Sequence, residues 1–166
     1  MSTSLVSLAS LVNAFNPVTP QLRVAAIIVR DKQLLLVEHR KRGEHYWVLP
    51  GGRLEGLETL EAALRRELKE ELGLDAKVGQ LVIVTEMLAP DRHVVNLIFH
   101  GEIGEGAEPR LDRADPVLAG WQWVSTDQLP RLDFRPPIAE AVRAVTAENF
   151  GGPVRLLGDT WRPQTH

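Results

Sequence analysis

The sequence predicts an α/β fold in which helices pack on a mixed β-sheet. Apolar, partly β-branched runs that are typical of strands lie both before and after one long segment of strong helix formers, residues 58–72. A second helical segment, residues 136–150, follows the last of these runs. Strands on either side of one helix, closed by another helix, indicate a layered sandwich.

Composition limits the possible functions. The 166 residues suit one domain that buries roughly 70% of its unfolded surface. A net charge of −3 and a pI near 6.0, without a long basic run, argue against a nucleic-acid or membrane surface. The absence of cysteine excludes disulfides, thiolate metal sites and a cysteine nucleophile. It also fits a reducing compartment, so we expect a cytoplasmic protein.

Residues 1–20 are predicted to form an N-terminal arm outside the domain. Leu5, Leu8, Leu11 and Val12 repeat at helical spacing. The segment lacks the basic start of a signal peptide, and its apolar runs are too short to cross a bilayer. Such an arm would pack on the domain or on a second subunit, and the second alternative predicts a homodimer.

The first half of the domain reads as a hairpin followed by a helix. Runs 22–29 and 33–39 are separated by the turn-like sequence RDK and predict two paired strands. Residues 39–52 read as a basic loop and a short apolar piece that ends at Pro50-Gly51-Gly52. The helix 58–72 carries leucines every four residues and ends before Gly73.

The second half predicts three strands and two helices. The strands cover 76–88, 93–103 and 121–124, and a polar loop fills 104–117. Capping-box spacing from Ser125 to Gln128 predicts a brief helix before Pro130. The closing helix, 136–150, is opened by proline. The domain is thus predicted over 21–150, with an irregular proline- and glycine-rich tail over 151–166.

Three glutamates on the first helix form a candidate metal site. Glu67, Glu70 and Glu71 share an arc of about 100° on a helical wheel. Like charges this close repel each other, and a divalent cation would offset the repulsion. Grouped carboxylates suit Mg²⁺, which bridges to substrate phosphates. These residues alone leave the alternative that they are ordinary solvated glutamates on a surface helix.

A longer sequence pattern decides between a metal site and ordinary surface glutamates. Residues 52–74 fit G-x5-E-x7-R-E-U-x-E-E-x-G-U, where U is aliphatic, without a mismatch. A chance match in a chain of this length is rarer than about one in a million. The pattern is the Nudix box, and the chain resembles Nudix hydrolases over roughly residues 20–150, including W-x-L-P-G-G at 47–52 and the later Trp-Val strand.

The resemblance implies an α/β/α sandwich that hydrolyses nucleoside diphosphates linked to another group, with Mg²⁺ or Mn²⁺. It implies that Glu67, Glu70 and Glu71 bind the metal, that the Gly52 carbonyl adds a ligand, and that Arg66 orients the glutamates. Glu58 would be a ligand or an anchor of the helix start, and the general base would be Glu67 or Glu71.

Some family members instead take an acidic residue from the loop before the late tryptophan strand. Glu108, Asp112 and Asp115 are available here. Position 120, where many relatives carry glutamate, is Gly120. The extra ligand or base therefore stays open.

Candidate substrate contacts are cations and aromatic rings outside the box. Arg40, Lys41 and Arg42 follow the second strand, and Arg92 and His93 lie in a later turn. Each could bind phosphate or be a solvated turn residue. Tyr46 or Phe99 could stack on a base or belong to the core.

The substrate itself is left among a few classes. Pro90, sixteen residues past Leu74, matches a mark of ADP-ribose pyrophosphatases, although a turn would also explain it. The marks of diadenosine-polyphosphate and NADH hydrolases are missing. We favour ADP-ribose or a nucleotide sugar, with a nucleoside triphosphate as the alternative. A catalytically silent ligand sensor is the alternative from another class. Trimming of RNA 5′ ends would need a broader basic surface.

Overall fold

The computed structural model describes residues 18–111 and 115–161. The prediction for residues 1–17 of the N-terminal arm lies outside them, as does Asp112. The elements in chain order are β1 Gln21–Arg30, β2 Gln33–Lys41, β3 Glu44–Val48, β4 Gly51–Arg53, α1 Leu60–Leu72, β5 Ala76–Ala89, β6 Arg92–Ile103, β7 Leu118–Ser125, a 3₁₀ helix Thr126–Arg131, α2 Ala139–Ala147 and β8 Arg155–Asp159.

The predicted mixed β-sheet is confirmed. Its main path through the described chain runs β3-β2-β1-β6-β5-β8, while β4 pairs with β1 and β7 pairs with β2. The pairs β1–β6 and β5–β8 are parallel, and the others are antiparallel. β1 and β2 pair only beside their turn, at Val29–Leu34 and Arg30–Gln33, so the two halves of the sheet separate beyond it.

The two helices pack against separate apolar cores. Ala63, Leu64, Leu68 and Leu72 of α1 join Val24, Ala26 and Ile28 of β1 in one buried cluster. Val142 and Val145 of α2 join Ile27, Ile83 and Ile98 in the other. Consecutive residues of β1 alternate between the clusters because strand side chains point to opposite faces. The architecture is therefore α/β with a helix against each core, in accord with the predicted sandwich.

Most predicted elements are confirmed to within a few residues. The hairpin 22–39 is present as β1 and β2, and its turn residues Asp31 and Lys32 have φ of 51° and 62°. The brief helix after Ser125 is a 3₁₀ helix in which Ser125 Oγ accepts from the Asp127 N–H at 3.4 Å. In the described ranges, no helix has the length and apolar character that spanning a bilayer requires.

Three local predictions are wrong. The basic segment after residue 39 extends β2 to Lys41 and then forms β3, because its polar residues lie on strands exposed at one edge of the sheet. The closing helix covers only 139–147, and Asn149 and Phe150 have positive φ beyond it. The tail is not irregular throughout, because residues 155–159 form β8 by parallel pairing with β5.

Candidate active site

Helix α1 is fixed at both ends. Thr59 caps it, and its side chain accepts from the Ala62 N–H at 3.2 Å. Glu58 Oε1 accepts from the Glu55 N–H at 2.7 Å, which ties down the loop before the cap. Gly73 ends the helix in the left-handed region, with φ of 65°. Because the leucine stripe is buried, the rotation of α1 is set, and Glu67 and Glu71 face the strand β4.

Two consecutive glycines form the opposite wall. Gly51 and Gly52 pair with Ala25 and Val24 of β1. A side chain on Gly51, whose φ is 138°, would overlap the Val24 carbonyl. A side chain on Gly52 would overlap the carboxylate of Glu67. The glycines therefore allow backbone and carboxylate to approach closely, and the Gly51 N–H donates to Glu71 Oε2 at 3.0 Å.

Arg66 links the box carboxylates. Its guanidinium donates to Glu58 Oε1 at 2.7 Å, to Glu67 Oε1 at 3.0 Å and to Glu70 Oε2 at 3.2 Å. It also donates to the Arg53 carbonyl at 3.0 Å. The hydrogen bond with Arg66 lowers the pKa of Glu58, and the same bond is the main reason that the pKa of Arg66 is raised. Five donors in a rigid fork allow one arginine to hold several oxygens at once.

The carboxyl groups of Glu67 and Glu71 lie partly buried, and this changes their pKa values. Burial raises the pKa of Glu67, against the opposing effect of Arg66. Burial raises the pKa of Glu71 to about 7, and the charges of Glu67 and Asp115 add to the effect. Glu70 differs, because its side chain is 59% exposed and turned to Arg66. Two partly buried carboxylates, of which Glu67 raises the pKa of Glu71, form a site that a cation would stabilise.

The donor set fits a hard divalent cation. Mg²⁺ binds through one or two carboxylates, keeps several waters and takes further oxygens from substrate phosphates. Glu67 and Glu71 supply such a pair. Across residues 18–111 and 115–161, no group of three acidic or histidine side chains could hold a metal by itself. Two surface cavities of about 430 and 700 Å³ are lined by residues outside this group. The candidate site is therefore identified by its carboxylates and their hydrogen bonds, not by a cavity.

Comparison with known proteins agrees with this geometry. The family model of the NUDIX domain matches residues 19–145. The chain belongs to the Nudix family. The phosphatase NudJ of Escherichia coli K12 is 28% identical over 144 residues, which cover 84% of this chain and 92% of NudJ. The family match and the similarity to NudJ identify this protein as a Nudix hydrolase, an enzyme that acts on phosphorus-containing anhydrides.

Solved structures share the Nudix fold. The solution structure of the E. coli ORF135 protein has a TM-score of 0.68 and 26% identity, and it covers 81% of this chain and 96% of that one. The crystal structure of a MutT NUDIX hydrolase from Burkholderia pseudomallei has a TM-score of 0.65 and 30% identity, covering 76% and 98%.

The Nudix site includes an arginine that the sequence reading missed. Arg23 on β1 lies beside Gly51, with Nη2 at 3.5 Å from the Gly51 carbonyl. Its charge acts on Glu67, Glu71 and the half-buried His39. The available signal was a lone charge among the apolar residues of the first strand.

The acidic residues predicted from the loop before β7 differ in their relation to this Nudix cleft. Asp115, one of the predicted loop acids, acts electrostatically on both Glu71 and His39. Glu108 instead pairs with Arg30 at 3.0 Å. Gly120 is opposite Glu38 on β2, and a Cβ at position 120 would lie 3.0 Å from Glu38 Oε2. Glu38 Oε1 itself lies 3.0 Å from His45 Nδ1 of β3.

The predicted substrate contacts are dispersed. Arg40 and Arg42 lie at the β2–β3 hairpin, where Arg42 has φ of 54°. The Tyr46 ring meets His39 edge-on at 5.5 Å and lies under the guanidinium of Arg135 at 4.3 Å. Phe99 is partly buried against the α1 core, which favours the core alternative.

Arg92 lies far from the Nudix box along the sheet. It begins β6, whereas Leu97 of β6 lies in the row of Val24 and Gly52. Five residues of strand separate the two by about 17 Å. The Arg92 side chain is 55% exposed, and its Nε lies 3.8 Å from Asp91 Oδ1. The structure therefore does not bring Arg92 together with the glutamates.

Proposed function

We propose that this Nudix hydrolase cleaves the pyrophosphate bond of a nucleoside diphosphate linked to another moiety, with Mg²⁺ or Mn²⁺ as cofactor. The observation that carries the proposal is the partly buried pair Glu67 and Glu71 against the Gly51-Gly52 backbone, in which Arg66 holds Glu67 and the Gly51 N–H holds Glu71. A cation bound by the pair would neutralise phosphate oxygens and lower the pKa of a bound water.

The residues of the chain have separate tasks in this proposal. Glu67 and Glu71 hold the cation, with the Gly52 carbonyl and Glu70 as further oxygens. Arg66 fixes the positions of Glu67 and Glu70 through its hydrogen bonds, which is a positioning task. Glu67 or Glu71 accepts the proton of the attacking water. Arg23 faces the phosphates as an additional cation.

For the substrate we favour ADP-ribose or a nucleotide sugar, on the sequence evidence of Pro90. The alternative is a nucleoside triphosphate, and the 30% identity to a protein described as a MutT NUDIX hydrolase supports it. In either case one anhydride between phosphates is hydrolysed, and the partner is a small nucleotide. A cytoplasmic location and a homodimer also stay predictions.

A substrate panel tests the proposal. The purified protein is incubated with Mg²⁺ or Mn²⁺ and with ADP-ribose, nucleotide sugars, dinucleoside polyphosphates and nucleoside triphosphates. We expect one class to be cleaved, and Glu67→Gln, Glu70→Gln and Glu71→Gln to be slower by about a hundredfold or more. The matched control is Glu61→Gln, an exposed glutamate on the first turn of α1. Absence of turnover with either metal would contradict the proposal and favour a ligand-binding role.

A further inference from the structure

One face of the sheet carries apolar side chains that no helix within residues 18–111 and 115–161 covers. On the α1 side, Leu22 of β1 lies opposite Val95 of β6, and Val84 of β5 lies opposite Leu156 of β8. Leu88 shares this face, four residues along β5 from Val84. We call these residues, Leu22, Val84, Leu88, Val95 and Leu156, the open sheet face.

The open sheet face is exposed in the described chain. Leu156 is 77% exposed, Leu88 46% and Leu22 38%. Val84 and Val95 are half-buried and pack into neither of the two core clusters. Helix α1 packs on β4, β1 and β5, and its core includes Leu54, beside Leu22, but none of the five residues of the open sheet face. Contiguous exposed apolar groups of this kind mark surfaces that another segment covers.

The face is crossed by one polar pair among these strands. His93 Nε2 and Glu86 Oε2 lie 3.0 Å apart between Leu88 and Val95. A segment that packs here should therefore carry hydroxyl or amide side chains among its apolar residues and no charge of its own.

Residues 1–17 have this chemistry. They contain no charged side chain, and Leu5, Leu8, Leu11 and Val12 alternate with serine, alanine and asparagine at helical spacing. They join β1 through residues 18–20, directly before Leu22. The segment thus begins its course at the border of the open sheet face.

The width of the open sheet face agrees with the reach of residues 5–17. From β1 across β6 and β5 to β8 are three strand spacings, about 14 Å. Residues 5–12 would extend about 12 Å as a helix. Residues 13–17 could bridge up to about 17 Å when extended. We propose that residues 1–17 dock on the open sheet face of their own chain.

The tether favours the chain's own segment over that of a second copy. A short linker gives the segment an effective concentration in the millimolar range. The arm thus covers apolar surface intramolecularly, on the face of the sheet that α1 leaves uncovered.

Disulfide trapping tests the docking in the full chain, which has no cysteine of its own. Leu5→Cys, Leu8→Cys and Leu11→Cys are each combined with Leu156→Cys. The matched control combines each with Leu57→Cys instead. Leu57 is fully exposed and follows Leu54, whose N–H donates to the Leu22 carbonyl at 3.0 Å. Position 57 is therefore also close to the exit of the arm.

We expect at least one arm position to form an intrachain disulfide with position 156 at least about tenfold faster than with position 57. The product is a monomer that has lost two thiols, measured by mass spectrometry. Equal rates, or no disulfide with position 156, would overturn the proposal. Disulfide-linked dimers would overturn it as well, and would assign the face to a second copy.

Discussion

The carboxylate of Glu67 fills the space in which a side chain at position 52 would begin. Gly52 and Glu67 are therefore a complementary pair, one on β4 and one on α1. The fit depends on the backbone of β4, which is held against β1 by the pairs Val24–Gly52 and Ala25–Gly51.

Gly52→Ala should displace the Glu67 carboxylate and reduce kcat/KM by about a hundredfold, because a shift of roughly 1 Å is enough for such a loss. Overpacking should also cost about 1–3 kcal/mol in the free energy of unfolding. Steady-state kinetics and denaturant unfolding measure the two effects. Gly104→Ala is the control, since a Cβ there meets open space. Equal activity in both variants would show that the close approach is dispensable.

Arg66→Lys should lower activity although it keeps the charge. A lysine has no planar fork and cannot hold Glu58, Glu67 and Glu70 together. We expect a loss of about 10- to 100-fold in kcat or in metal affinity, as for other groups that position metal ligands. Metal titration of the initial rate separates the two. Arg65→Lys, on the exposed side of the same turn, should be neutral. Full activity of Arg66→Lys would reduce the role of Arg66 to its charge.

Arg23 and Arg92 give opposite expectations for phosphate binding. Arg23→Gln removes a cation beside Gly51 and the carboxylate pair, so KM should rise about tenfold, the loss of one charged hydrogen bond. Arg92→Gln lies about 17 Å along β6 and should leave KM unchanged. The KM values of both variants are compared on the best substrate of the panel. A larger effect of Arg92 would favour the contact expected from sequence over the geometry.

His39 should make stability depend on pH. Burial lowers the pKa of His39 below 6.5, with Arg23 and Lys41 acting in the same direction and Asp115 against it. The unfolded chain therefore binds a proton at a pH where the folded chain does not, and stability falls as the pH drops below about 6.5.

The difference in Tm between the wild type and His39→Gln isolates this effect from other titrating groups. We expect the wild type to lose more stability than the variant between pH 7.5 and 5.5, in chelator to exclude bound metal. Parallel pH profiles would mean that His39 has the same pKa in both states.

Local signals in the sequence predicted α1 and the box, because the cap at Thr59, the leucine stripe and Gly73 all lie within the helix or next to it. Strand β8 escaped prediction because its partner β5 is some seventy residues away, and its mostly exposed residues show no alternation. Strand β3 was hidden by polar residues such as Glu44 and His45.

The candidate site also divides into residues that a local pattern predicts and residues that only the fold brings together. The pattern 52–74 carries the glutamates and Arg66 in one continuous stretch. Arg23, His39 and Asp115 belong to β1, β2 and a distant loop, so only the folded sheet brings them together at the cleft. Strand pairing likewise places Glu38 beside Gly120, although 82 positions separate the two residues.

The hydrogen bonds of Arg66 make the box one energetic unit. Glu58, Glu67, Glu70 and the Arg53 carbonyl share a single guanidinium, so changing any of them alters the hold on the rest. Losses from single substitutions in this group should therefore not sum in a double-mutant cycle. Once Arg66 is replaced, Glu58→Gln should cost little more, because the hydrogen bonds that Glu58 shares with it are already lost.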